Sequence, residues 1–339
     1  MDRTTSPISV GRSIRDLRGT TLRGQVGRPH FIPQIYGSPW FNLRIALYPL
    51  SDGILMLVQP DQAVINRWSD AAPFWEKHRE IIRQMFAPVT AALSQDGLIG
   101  SGCTVLDIAT GPGEPALTIA SSVGPAGRVF GIDPVPEMVE AARREARHLG
   151  LKNAQFDVAL AEHLPFEDDT FDAAVSRFGV MFFPSPVAAV REMLRVLKPG
   201  RKLALAAWYL AEENPFFYTL SRAIDRYVDS PPPAPDAPDT FRFASPRKLR
   251  DVFDRAGVLV PTERILQFTI KVPISGEDFW TLRCEMSETL RKKVGMLSKD
   301  QLAEARRQAL EAFRAYSTDF GLSFPAKVLI VSGSKDGST

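Results

Sequence analysis

From about Thr104 to Trp208 the chain alternates short β-rich runs with helix-like segments, and this alternation limits the fold more than any other feature. "CTVLDIAT" is an apolar run ending in a turn, and "EPALTIASSV" reads as a helix with Pro115 in its first turn, where a missing N–H matters little. "GPAG" at 124–127 leads into "RVFGI", a second β-rich run. "PEMVEAARREARHLG" then reads as a helix opened by Pro136 and closed by Gly150. Further strands are expected at "AQFDVAL", "FDAAVSRF" and "RKLALAAW", with an amphipathic helix in "SPVAAVREMLRVLKPG" stopped by Pro199-Gly200. Repeated βαβ units imply an α/β fold with a Rossmann-like, mainly parallel sheet and helices on both faces. In such sheets the ligand lies beyond the carboxyl ends of the strands, where the strand order reverses.

After Trp208 the pattern changes. "SPPPAPDAPDT" (230–240) is too rich in proline for a strand and reads as a stiff loop. "SPRKLRDVFDRAGV" reads as a helix capped by Ser245, and "ERILQFTIKV" as a strand. Two helical stretches follow, roughly 276–296 and 298–318, before a last strand in "PAKVLIVSG" (325–333). The sheet is therefore expected to have seven strands. Segments 209–245 and 275–320 are read as late helical insertions over its carboxyl edge, placed to act as a lid. The expected organisation is a basic, helical N-terminal arm over 1–62 and one α/β domain over 63–339.

A chain of 339 residues suits one large α/β domain with additions or two small domains. Its 45% hydrophobic and 24% charged content is ordinary for a soluble globular protein. Cys103 and Cys284 have no CxxC neighbour, which fits a reducing cytosol and argues against a disulfide framework or a cysteine metal site. The four histidines form no metal set. The N-terminus lacks the pattern of a secretory signal, and "IALYPLSDGILMLVQP" (45–60) is interrupted by Pro49, Asp52 and Gly53, so a cytoplasmic location is expected. Residues 1–50 carry seven arginines against Asp2 and Asp16, a balance of +5, and the overall +2 leaves −3 for the remainder. A nucleic-acid partner is not indicated. The basic arm with its apolar segment reads either as a peripheral contact for an anionic membrane or as a tail packed on the neighbouring domain.

Gly111-Pro112-Gly113-Glu114-Pro115-Ala116 satisfies the loose pattern G-x-G-x-x-A, and Asp133 stands twenty residues beyond Gly113 at the end of the second strand. That suits a nicotinamide dinucleotide and S-adenosylmethionine equally. The neighbouring charges distinguish them. A pyrophosphate wants backbone N–H groups and a helix N-terminus, and would be repelled by Asp107 and Glu114. S-adenosylmethionine carries an ammonium and a sulfonium instead of phosphates, so acidic surroundings favour it.

"VLDIATGPGEPAL", "GRVFGIDPVPEMVEAAR", "AEHLPFEDDTFDAAVSRFGVMFF" and "REMLRVLKPGRKLALAAW" occur in order over about 105–208. In content and spacing they resemble a class I S-adenosylmethionine-dependent methyltransferase, in particular the ubiquinone/menaquinone-biosynthesis C-methyltransferase type. The resemblance implies S-adenosylmethionine as cofactor, with Asp107 helping to orient its methionine end, directly or by fixing the loop. Ala109, Thr110, Gly111 and Gly113 would allow its close approach. Asp133 would bind the ribose hydroxyls, and Pro134 and Met138 would flank the adenine. Ala161 and Glu162 would lie at the adenine edge. Arg177 and Phe178 would face the methionine tail and the transferring methyl group. Leu160 stands where the family often has an acid for the adenine amino group, and Gly200-Arg201 replaces the usual double glycine.

Phe182, Trp208 and Phe216 are the residues expected to line an apolar pocket for a small-molecule acceptor. The reaction implied is attack by the acceptor's nucleophilic atom on the methyl group in line with the departing sulfur. No residue stands out as a general base: His163 is near the cofactor motif, His78 lies in a helix placed to cap the site, and His30 and His148 look peripheral. A nicotinamide-dependent oxidoreductase and a non-catalytic S-adenosylmethionine-binding protein are the alternatives.

Overall fold

Val105, Leu106, Asp107 and Ile108 are buried together, and Thr104–Ile108 (β1) accordingly runs through the middle of the main sheet. The computed structural model describes residues 62–229, 234 and 236–337 in full, and the backbone of four short strands nearer the N-terminus. Those strands form two antiparallel pairs, Ile14–Arg15 with Thr21–Leu22 and Leu47–Pro49 with Leu55–Leu57. The basic arm and its expected membrane contact otherwise lie outside the described residues. Pro60–Thr339 form one compact unit and Met1–Gln59 another.

Two helices, Gln62–Lys77 (α1) and Arg79–Asp96 (α2), precede β1. The βαβ run follows as Ala116–Val123 (α3), Arg128–Asp133 (β2), Pro136–His148 (α4) and Ala154–Val158 (β3). It continues as Phe171–Arg177 (β4), Pro186–Val196 (α5) and Leu197–Trp208 (β5). Next come Pro215–Ile224 (α6), Lys248–Ala256 (α7) and Leu259–Val272 (β6). Gly276–Met286 (α8), Glu288–Met296 (α9) and Lys299–Phe313 (α10) lead to Ser317–Thr318 (β7) and Gly321–Ser334 (β8).

The strand order is β6-β8-β5-β4-β1-β2-β3, with β7 added to β8. From β3 to β5 all pairs are parallel, while β8 is antiparallel to both of its long neighbours. The order runs outward from β1 through β2 to β3, then resumes on the other side with β4. The reversal therefore falls between β1 and β4. Leu203–Trp208 are six consecutive buried residues, which requires cover on both faces of the sheet.

Four sequence expectations are corrected. The sheet has eight strands instead of seven, because Ser317–Thr318 pair with Leu322 and Gly321 as a two-residue edge piece. The helix expected to end at Pro199-Gly200 ends at Val196, and those two residues sit in a bulge where β5 shifts register against β4. The helix over 276–296 is two helices, since the Ser287 hydroxyl accepts from Leu290 N–H and starts α9 afresh. The α7 N-cap is Arg247, in a left-handed conformation with its N–H donated to Glu263, and Ser245 contributes only a carbonyl to Lys248 N–H. No described helix is long and apolar enough to cross a membrane.

Candidate functional site

A cavity of about 310 Å³ opens at the carboxyl ends of β1, β2, β4 and β5, at the strand-order reversal. Its floor is the turn after β1. Asp133, at the end of β2, holds that turn with one oxygen and its own following turn with the other: Oδ2 accepts from Gly111 N–H at 2.9 Å and Oδ1 from Val135 N–H at 3.0 Å. Asp107, fully buried in β1, accepts at Oδ2 from Ala116 N–H at 3.1 Å, which ties strand β1 to the start of α3. Burial pushes Asp107 up to about 7, opposed by the Thr110 hydroxyl and the Arg177 charge. Burial likewise pushes Asp133 up to about 6 against the two backbone N–H groups.

Gly111 and Gly113 differ in what they do. Both have positive φ, +56° and +112°. Gly111 lines the cavity and has open space where a Cβ would stand. A Cβ on Gly113 would meet Leu117 Cδ1 at 2.6 Å and Ala142 Cβ at 3.3 Å, so this glycine serves the packing of the turn on α3 and α4.

At the end of β4, Arg177 is buried between acids. Its guanidinium donates to Thr90 Oγ1 at 2.9 Å and to the Glu114 carbonyl at 3.3 Å. Burial lowers its proton affinity, while the charges of Glu114 and Asp107 raise it. Burial raises Glu114, whose carboxylate accepts from the Thr118 hydroxyl at 2.8 Å. Glu162 accepts from Ser185 N–H at 2.8 Å, and burial raises it also.

Beyond Arg177 the cavity wall is aromatic. Phe178 stacks on Trp208, Trp208 meets Phe217 edge-on at 4.7 Å, and Phe86 meets Phe178 edge-on at 5.3 Å. Across the mouth lies α1, whose Ile65, Trp68 and Trp75 face the cavity. The Trp75 indole N–H donates to the Met286 carbonyl at 3.3 Å, so α1 and α8 meet over the site.

Of the residues singled out in the sequence, Ala109, Thr110, Gly111, Asp133, Pro134 and Met138 line this cavity. So do Ala161, Glu162, Arg177, Phe178, Phe182, Trp208 and Phe216. Asp107 and Gly113 do not: one is turned into the helix start and the other into the helix packing. His78 is also outside it, at the junction of α1 and α2 with its ring on Glu285. Residues from both late segments reach the cavity, Phe217 and Asp239 from the first and Arg283 and Met286 from the second.

Residues 99–232 match the family model described as a methyltransferase domain. This segment belongs to the methyltransferase-domain family. Over 117 residues, 34% of this chain and 48% of the relative, it is 41% identical to the ubiquinone/menaquinone biosynthesis C-methyltransferase UbiE of Geobacter sp. (strain M21). Over 127 residues, 37% of this chain and 49% of the relative, it is 38% identical to the protein of the same name from Klebsiella pneumoniae (strain 342). The chain thus spans about half the length of the curated relatives it matches. A solved structure, the YcgJ protein from Bacillus subtilis, aligns over 74% of this chain and 98% of its own at 23% identity and a TM-score of 0.48.

The matched segment supplies the turn, the strand ends and most of the aromatic wall, while α1, α2, Asp239, Thr240, Arg283 and the residues from Met286 to Thr289 reach the cavity from outside 99–232. Trp68 and Trp75 were legible only as one face of an amphipathic helix, through the spacing Ile65, Trp68, Ala72, Trp75. Arg283 carries no signal of its own in the sequence.

Proposed function

We propose that this protein is an S-adenosylmethionine-dependent methyltransferase acting on a small hydrophobic or aromatic acceptor. One observation carries the choice of cofactor class. The two backbone N–H groups that a pyrophosphate would need, those of Gly111 and of Ala116 at the start of α3, are already donated to Asp133 and Asp107. A phosphate would also meet the Glu114 and Asp133 carboxyl groups, with Asp107 buried behind the turn, and burial has already raised the proton affinities of all three. A ligand bearing an ammonium and a sulfonium relieves that burden, because its charge stabilises the ionised carboxylates.

When bound, the cofactor supplies an activated methyl group. Asp133 accepts from the ribose hydroxyls while keeping its hold on the turn, and Pro134 and Met138 bound the adenine. Ala109, Thr110 and Gly111 form the floor against the cofactor. Leu160 offers no acid to the adenine amino group, which is left to backbone groups near Ala161 and Glu162. Asp107 and Gly113 act through the turn without touching the ligand. Arg177 pairs with the carboxylate of the amino-acid tail, and Glu114 with its ammonium. Phe178, Phe182, Trp208 and Phe216 hold the acceptor and keep water from the reacting carbon, so that positioning supplies most of the acceleration. The segments 209–245 and 275–320 act with α1 as the acceptor-binding wall, and the enzyme works in the cytoplasm.

The test is calorimetry with S-adenosylmethionine, S-adenosylhomocysteine and NADH on the wild type and on Asp133→Ala. The expected result is binding of both adenosyl ligands, none of NADH, and at least about a tenfold loss in the variant. Binding of NADH alone overturns the reading. Cofactor binding with no methyl transfer to any of a broad acceptor panel makes the protein a non-catalytic binder.

A further inference from the structure

Arg283 on α8 is 6% exposed and lines the cavity. Its guanidinium carbon lies 4.3 Å from the centroid of Phe216 and 4.9 Å from that of Phe217. Its Nε makes no hydrogen bond, and among the described residues no carboxylate pairs with it. The ionisable group acting on it is the Cys284 thiol, which burial holds up at about 11 and therefore neutral. Arg177, the other buried arginine of the wall, is by contrast flanked by Asp107 and Glu114.

A buried, unpaired cation is costly to a fold, and two aromatic faces offset only part of that cost. The acids on the same part of the wall do not serve it: Glu288 pairs with Lys292 at 2.5 Å, and Asp239 accepts from Phe241 N–H at 2.9 Å. With its face covered by the two rings and its Nε sealed in, the guanidinium keeps its terminal Nη donors for whatever enters the cavity. Those donors match two coplanar oxygens.

Phe217, under the guanidinium, touches Trp208, and Trp208 stacks on Phe178 at the end of β4. Arg283 thus stands at the far end of the aromatic wall from the turn. We propose that Arg283 recognises an anionic oxygen group, a carboxylate or an ionised phenol, on a flat apolar methyl acceptor. This rests on the methyltransferase reading of the cavity. The acceptor itself completes the charge balance that the protein leaves open, and neutral analogues are rejected because they leave the buried cation unpaired.

The test uses the full chain and three planar probes, 2-naphthoate, 2-naphthamide and 2-naphthol, by calorimetry with and without saturating S-adenosylhomocysteine. The expected result is 2-naphthoate bound at least about tenfold more tightly than the isosteric amide. Arg283→Met erases the preference with no fall in melting temperature, since it removes an uncompensated buried charge. Arg283→Lys keeps the charge but loses the fork, and retains part of the preference. Affinity for 2-naphthol that rises as the phenol ionises, with 2-naphthoate bound no better than the amide, assigns the ionised phenol as the source. Equal binding of all three probes at every pH, no measurable binding of any, or a preference that survives in a folded Arg283→Met overturns the proposal. If S-adenosylhomocysteine fails to bind while the Arg283-dependent preference remains, the methyl-donor reading falls and the anion site stands.

Discussion

Phe178 lies flat against Trp208, with ring centroids 4.5 Å apart and planes 4° from parallel. The stack is set by the backbone: Phe178 has φ of +67° and donates its N–H to the Ala206 carbonyl at 3.1 Å, which turns its ring over β5. A residue held in that conformation is strained by about 1–3 kcal/mol, and the stack is one contact that retains it. Trp208→Phe is expected to weaken binding of a planar aromatic probe severalfold and to destabilise the fold by about 1–2 kcal/mol. S-adenosylhomocysteine affinity should not change. Calorimetry with both ligands checks it, and unaltered probe affinity would place the acceptor away from this wall.

The raised carboxyl groups make stability and binding depend on pH in opposite senses. Asp107 and Asp133, with ordinary values of 3.8, are pushed up to about 7 and about 6 in the folded protein. Between these limits the native state holds protons that the unfolded chain has released, so stability falls as pH rises from about 4 to 7. The total is on the order of 7 kcal/mol. Asp172 and Glu285, whose values are lowered, act in the opposite sense, and their contribution is confined to the acid end of this window and below. The melting temperature should therefore drop between pH 5 and pH 7, and Asp107→Asn should flatten the slope. A positively charged cofactor favours the ionised acids, so S-adenosylmethionine should bind more tightly at pH 7 than at pH 5.5 and release protons. Calorimetry in buffers of different ionisation enthalpy measures both, and a proton count of zero would contradict the assignment.

The two turn glycines separate folding from binding. Gly113→Ala combines φ of +112° with a Cβ 2.6 Å from Leu117 Cδ1, and should destabilise the fold by about 2–3 kcal/mol. Gly111→Ala meets open space at φ of +56° and should cost about 1 kcal/mol of backbone strain. Its methyl group projects at the cavity floor, so cofactor affinity should suffer more than stability. Thermal melts and S-adenosylhomocysteine titrations on the pair check the contrast. Equal melting temperatures would remove the packing role assigned to Gly113.

The βαβ core was legible because each strand is a short apolar run punctuated by Gly, Pro or a strand-end acid. Ligand position followed from topology alone, and Asp133, Arg177 and Phe178 fall at strand ends on that basis. Side-chain direction did not follow. Asp107 and Gly113 sit in the same motif but face α3 and its packing, because an N–H at Ala116 and the bulk of Leu117 claim them. Ser317–Thr318 could not be read as a strand, since its only strand character is the hairpin with Leu322 and Gly321. Ser287 broke an expected helix because a capping serine looks in sequence like any polar surface residue. Arg283 meets Phe216 and Phe217 across more than sixty residues of chain, and no local pattern announces such a contact.

Asn214, fully buried at the start of α6, joins the first late segment to the sheet. Its amide donates to the Leu210 carbonyl at 2.9 Å and the Lys327 carbonyl at 3.1 Å, and its Oδ1 accepts from Lys327 N–H at 2.9 Å. Lys327 belongs to β8, so the exchange continues the sheet's hydrogen bonding into the segment that carries Phe216 and Phe217. Asn214→Ala leaves these backbone groups buried without partners and should destabilise the protein by about 2–4 kcal/mol. Asn214→Asp retains the acceptor but loses the donors, and should be no better, because it buries a charge against carbonyl oxygens. Both variants should also weaken binding of an aromatic probe while S-adenosylhomocysteine still binds, since the glycine turn is anchored elsewhere, by Asp133 and Asp107. Chemical denaturation with paired titrations reads the two effects separately. A variant that loses stability but holds the probe normally would show that Phe216 and Phe217 are placed by their own packing and not by this anchor.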